Sequence, residues 1–410
     1  MTDAVLVLNA GSSSLKFALI ETTRQRLAVG EIERIGEAPH FFAHNQASQT
    51  LIDRTWHDGA SLSHEDLLKP LLDWAENHLQ GDRLIGVGHR IVHGGTQFAA
   101  PVRLTAQIID ALAKLTPLAP LHQPHNLAPI RAIATLRPDL PQIGCFDTGF
   151  HHTMPDIATR LPLPDAYHQA GVRRYGFHGL SYEYIARRFA NLDPHRAGGR
   201  VIAAHLGNGA SACALRAGQS VETSMGFTAL DGLMMGTRTG SLDPGVVLYM
   251  LEQEHRSAAA ISHLLYNSSG LLGVSAESSD MRVLLASTRP QAKLAIALFC
   301  HIAAREIAAL TTALGGLDAL IFTAGIGEHA APVRAGICAN LAHFGITLDD
   351  NANNQNALLI SRPTTPVAVY VIPTDEEAMI AEHSLTLLAN QAPTNAQSDA
   401  QSNANKSASV

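Results

Sequence analysis

Three times along the chain, an apolar run that reads as a buried strand breaks abruptly into glycine, asparagine and serine. In VLVLNAGSSSLKF, residues 5 to 17, the run ends around a single glycine and a second apolar run follows. In VIAAHLGNGASACAL, residues 201 to 215, the order of strand, small polar turn and strand recurs. In IFTAGIGEHA, residues 321 to 330, a buried strand ends in Gly325 and Gly327 ahead of a helix. Elsewhere the apolar spacing predicts helices over HEDLLKPLLDWAENHL, over residues 181 to 192, over the alanine-rich 291 to 314 and over about 376 to 389, and LIGVGHRIVHGG predicts a strand. Two like hairpins roughly half a chain apart predict a duplicated α/β fold whose loops grip one polyphosphate from opposite sides.

The loop chemistry agrees with that expectation. Gly11 permits a tight turn, Ser12 and Ser14 offer hydroxyl and amide donors, Lys16 offers a point charge for phosphate, and Asn9 can hold a metal-bound water. Neither GxxxxGK[ST] nor a full GxGxxG occurs, so Walker and Rossmann readings fall away. At 410 residues the chain exceeds what one core usually spans, and 46% hydrophobic residues suffice for two. A net charge of -7 without a lysine or arginine block argues against nucleic acid and against an anionic membrane surface. No apolar stretch is expected to reach the roughly 20 residues of a membrane helix, and VLVL is too short for a signal peptide, so a cytoplasmic protein is expected. Cys145, Cys213, Cys300 and Cys338 are isolated and read as reduced core thiols. Residues 391 to 410 have almost nothing apolar to bury and read as a disordered tail.

Taken in order, LNAGSSSLKF, GHRIVHGG, PLHQPHN, FDTGFH, YGFHGLSY, HLGNG, MGTRTGSLDPG, SSDMR, FTAGIGE and IPTDEEAMIA resemble the acetate kinase family from residue 5 to about 388. The resemblance implies the acetate and sugar kinase, heat-shock and actin superfamily. Its fold is a two-domain, actin-like (ribonuclease H-like) duplication with a mixed five-stranded sheet in each half and the nucleotide in the cleft between them. Residues 1–150 with about 379–390 would form one domain and 151–378 the other. The implied reaction is reversible, magnesium-dependent, in-line phosphoryl transfer between ATP and acetate, giving ADP and acetyl phosphate. Manganese would be able to replace magnesium, and a homodimer is implied.

Residue by residue, the resemblance places Arg90 and Arg238 as a clamp on substrate and transferring phosphate, and His178 as a donor to the transferring group. Asp147 stands where sugar kinases of the superfamily carry a base. An acetate carboxylate is already ionised at pH 7, so Asp147 is expected to orient Arg90 or a magnesium-bound water instead. Val92, Leu121 and Phe177 would form the methyl pocket. Ser12, Ser14, Lys16, His205, Leu206, Gly207, Asn208, Gly209, Asp280, Met281, Arg282, Ala324, Gly325, Ile326, Gly327 and Glu328 would surround the nucleotide, with Asn9 and Glu376 at the metal. The other histidines near these motifs, among 21 in the chain, read as structural or incidental. Two departures stand out. Thr96 follows His93-Gly94-Gly95 where the family often has glutamate, and Ala229 stands where it often has proline, which opens the pocket wall towards propionate. A polyol or sugar kinase would share the fold but want a more polar acceptor pocket, and a non-catalytic actin-like protein would not need the two arginines and His178 together.

Overall fold

The computed structural model describes residues 3–11, 13–79, 81–120 and 122–390. The expectations for Ser12, Leu121 and the 391–410 tail lie outside those residues. Each apolar run noted above is a strand, and the strands form two sheets. The first contains β1 (Ala4–Ala10), β2 (Leu15–Glu21), β3 (Arg26–Glu33), β4 (His40–His44), β5 (Thr50–Thr55), β6 (Leu84–Ile91), β7 (Val102–Arg103) and β8 (Gln142–Phe146), in the order β5-β4-β3-β2-β1-β6-β8-β7. The second contains β9 (Arg200–Leu206), β10 (Ala210–Arg216), β11 (Gln219–Thr223), β12 (Ala319–Thr323) and β13 (Ala368–Val371), in the order β11-β10-β9-β12-β13.

The duplication is visible in the pairing. β3-β2-β1-β6-β8 and β11-β10-β9-β12-β13 share one pattern, two antiparallel pairs followed by two parallel ones. The five-stranded expectation is thus met by the second sheet and by the core of the first, which β4, β5 and β7 widen to eight strands. Parallel strands need crossovers that cover both faces with helices, which is why their sequences run apolar without alternation. β8 and β12 are buried at every position.

The predicted helices are present as His64–His78, Gly179–Leu192, Pro290–Leu314 and Glu376–Ala389. The last returns to the first sheet, packing across β1, β6 and β8. Its close approach depends on Gly88, where an added Cβ would stand 2.4 Å from Ser384 Oγ and 2.7 Å from Ile380. The helix Pro290–Leu314 corrects one expectation, because its length and apolarity are those of a membrane-crossing segment. Its Ala292, Ala295, Phe299, Ala303, Ile307, Leu310 and Leu314 recur at helical spacing and are buried in the core of the second sheet. A second correction concerns β12, which stops at Thr323; Gly325 and Gly327 lie inside the helix Ala324–His329 instead of ahead of it.

Candidate active site

The parallel strands β1, β6 and β8 deliver their carboxyl ends to one edge of the first sheet, and with them Asn9, Arg90 and Asp147. Arg90 grips Asp147 in a forked pair, Nε to Oδ1 at 3.0 Å and Nη2 to Oδ2 at 2.6 Å, and its Nη1 donates to Asn9 Oδ1 at 3.2 Å. Asp147 is 1% exposed, so this pair is desolvated and the guanidinium plane is fixed. Burial alone would loosen the Arg90 proton, but Asp147 and Glu376 more than offset it and hold the group charged. The orienting role expected of Asp147 matches this geometry.

Glu376 opens the C-terminal helix and reaches to 3.6 Å from Arg90 Nε, longer than a hydrogen bond. Burial holds its carboxyl above the usual range, with Asp147 and Glu377 adding repulsion that Arg90 and Lys16 only partly cancel. Asp375 caps that helix through Ala378 N–H and takes Arg26 Nη2 at 2.6 Å, which ties the helix start to β3.

His178 sits before the helix Gly179–Leu192 in a left-handed conformation, φ 58°. Gly179 N–H donates to the Asp147 carbonyl at 2.8 Å, so close that a Cβ on Gly179 would lie 2.2 Å from that oxygen. The turn therefore locks His178 beside Asp147. Its Nδ1 meets Ser211 Oγ at 2.8 Å, Ser211 in turn meets the Tyr182 hydroxyl, and its ring stacks on His205 at 4.2 Å. With Tyr182 donating to Ser211 and Ser211 to Nδ1, the Nε2–H is left facing Gly209 and the cleft. Burial, His205 and both arginines push His178 well below its ordinary pKa, so it is a neutral donor at pH 7.

Arg238 comes from the loop after β11 and donates Nη1 to the Ala229 carbonyl at 3.1 Å. His122 Nε2 accepts from its Nη2 at 3.3 Å, and burial with Arg238 and Arg90 holds His122 down to about 4. His122 had been read among incidental histidines; its pairing across the fold had no local signal. Val92 and Phe177 are buried in one apolar cluster, with Ala229 packed on its edge.

The nucleotide candidates divide into two groups. Gly207, Asn208 and Gly209 form the β9–β10 turn, and Asn208 O accepts from Gly236 N–H, which ties that turn to the Arg238 loop. Above Gly325 nothing would meet an added Cβ within 4 Å, and Arg282 is 90% exposed while paired with Asp280. By contrast the Leu206 and Met281 side chains are core, at 0% and 3% exposure, so only their backbone can face a ligand. Ala324 holds a left-handed φ of 63° at the head of its helix. Glu328 is turned away onto Thr374 N–H at 3.2 Å. Sequence reading also missed Arg334. It is 0% exposed and spends five hydrogen bonds on the carbonyls of Gly327, Glu328 and Asn353 and on the side chains of Asn353 and Asn356, pinning the helix Ala324–His329 from beneath.

A family model described as the Acetokinase family matches residues 4–382. A protein of Rhodopseudomonas palustris named acetate kinase is 52% identical over 391 residues, covering 93% of this chain and 98% of its own. One of Rhizobium meliloti with the same name is 47% identical over 391 residues, covering 94% and 98%. Among solved structures, a propionate kinase from Francisella tularensis superposes with a TM-score of 0.87 at 37% identity, covering 93% of this chain and 98% of that one. An acetate kinase from Porphyromonas gingivalis does so with 0.83 at 37% identity, covering 94% and 100%.

Proposed function

The chain belongs to the acetokinase family, and from that premise we propose that it transfers the γ-phosphoryl group of ATP reversibly to acetate, giving acetyl phosphate and ADP. One observation carries the reading. Arg90, Arg238 and His178 surround one space closely enough that both arginines depress His178 and Arg90 depresses Arg238. Two anions must meet there, and this concentration of positive charge lowers the cost of their encounter.

In that space Arg90, held flat by Asp147, binds the carboxylate and keeps an oxygen in line with the phosphorus. Arg238 and the His178 Nε2–H donate to the equatorial oxygens as charge spreads over them. Asp147 is saturated by Arg90, and the carboxylate needs no base. The apolar wall of Val92 and Phe177 takes the methyl group. Nucleotide phosphates would lie against the β1–β2 and β9–β10 turns, with adenosine over Gly325 between Ile326 and Arg282.

Magnesium suits the residues present. Among the described residues no three His, Cys, Asp or Glu side chains form a metal-holding group, yet magnesium uses only one or two carboxylates beside phosphates and water. The buried Glu376, carrying repulsion from Asp147 and Glu377, with Asn9 across the edge, would hold it. Bound there, the ion would offset charge on the phosphates.

Domains of 1–150 with 379–390 and of 151–378 would close on the substrates. A homodimer fits the helix Pro244–Glu252, which buries none of its residues and exposes Leu248 and Tyr249 at 53% and 57%. Four buried free cysteines fit a cytoplasmic location. Propionate is the second reading, favoured by Ala229 in the pocket wall. Hydroxylamine trapping of the acyl phosphate with magnesium-ATP and acetate, propionate or butyrate decides by kcat/KM. Highest efficiency with acetate supports the proposal, preference for propionate exchanges the substrate, and no product with any acid overturns it.

A further inference from the structure

Outside the clamp, a niche of about 280 Å³ opens to solvent where the loops after β6 and β8 meet the segment leading into His178. Thr96, Thr148, His152, Arg173, Arg174 and Tyr175 line it, and no carboxylate does. Arg173 forms no hydrogen bond or ion pair among the described residues, though Tyr175 and the exposed Asp156 feel its charge. Arg174 gives Nη1 to the carbonyls of Thr223, Ser224 and Met225, and stands 3.8 Å from Asp231, which is not part of the lining. Among the described residues its Nε and Nη2 have no partner. Thr148, 6% exposed, accepts from Gly94 N–H at 3.1 Å and so keeps its own O–H to donate.

We propose that this niche binds a small oxyanion, a phosphate or a carboxylate, between Arg173, Arg174 and Thr148. Two guanidinium groups without an acid in a confined space suit charge-assisted, forked hydrogen bonds. The volume excludes a nucleotide. Thr96 stands at the mouth where related sequences often carry glutamate, so this chain has lost a side chain that could occupy the niche itself. Bound anion would join the Gly95–Thr96 loop to the strand of chain running into Phe177 and His178. None of Arg90, Arg238, His178 or Asp147 lines the niche, and the proposal stands whether or not acetate is the substrate.

Inorganic phosphate and acetate are titrated calorimetrically into the full-length wild type, Thr96→Glu and Arg173→Gln, each with magnesium-ADP saturating. Wild type is expected to bind phosphate with a dissociation constant on the order of 1 mM, and each variant at least tenfold more weakly. Turnover should stay within about twofold of wild type in Thr96→Glu, and its Tm in phosphate-free buffer should rise as the new carboxylate meets the arginines. Acetate binding alongside phosphate marks a general oxyanion site, and phosphate alone marks a dianion site; both support the proposal. Equal phosphate affinity in wild type and Thr96→Glu overturns it, because the anion would then be held elsewhere. Should Arg173→Gln fail to fold, Thr96→Glu still decides.

Discussion

Replacing Arg334 by methionine tests whether the nucleotide platform is held from below. The five hydrogen bonds of this guanidinium end on three carbonyl oxygens and two side-chain amide oxygens, all in or next to the helix Ala324–His329 and the segment around Asn353. Each buried acceptor left without a donor costs about 1–3 kcal/mol. Releasing a buried cation, whose pKa burial already lowers, returns several kcal/mol. The net loss is about 3–5 kcal/mol, seen as a fall in Tm of roughly 5–10 °C for a chain of this size. Function should respond selectively. The helix carries Gly325 and Ile326, so KM for ATP should rise about tenfold, ~1.4 kcal/mol of lost positioning, with KM for acetate unchanged. Arg334→Lys keeps the charge but has three donors for five acceptors, and should fall between. Steady-state kinetics with each substrate varied, beside thermal melts with and without ATP, separate the two effects. A lowered Tm with an unchanged KM for ATP would refute the positioning argument and leave Arg334 as scaffold alone.

Other perturbations give distinct signatures. Arg90→Ala and Arg238→Ala should each lose on the order of 100 to 1000-fold in kcat, the scale of one transition-state donor, and a loss under about tenfold would remove that arginine from the clamp. Asp147→Asn should lower kcat about 100-fold without changing the shape of the pH profile; disappearance of an acidic limb seen in wild type would make it a base. His89, His93 and His151 are buried and held down to about 4, chiefly by burial. The unfolded chain binds protons at these sites near pH 6.5 while the folded one resists. Stability should therefore be full above about pH 7 and fall steadily as pH drops towards 4. A flat Tm between pH 7 and 5 would contradict that burial.

The chain by itself determined the strands, the two glycine-turned hairpins and the long helices, because each is a local pattern of apolar spacing ended by residues that free the backbone. It also placed Arg90, Asp147, His178 and Arg238 in loops after strands, since those loops follow the runs directly. Partners across the fold were beyond it. Periodicity says which face of a strand is buried, not which side chain another strand sets against it. Arg90 finds Asp147 only because β6 and β8 lie side by side in parallel, and His122 finds Arg238 only across the space between the two sheets. Leu206 and Met281 read as ligand contacts by position yet turn into the core, a choice made by the register of β9 and by packing beneath the helix Met281–Ala286. Arg334 is the sharpest case. An arginine in a helix reads as surface, and only a cage of carbonyls closing over it from two segments makes its burial tolerable.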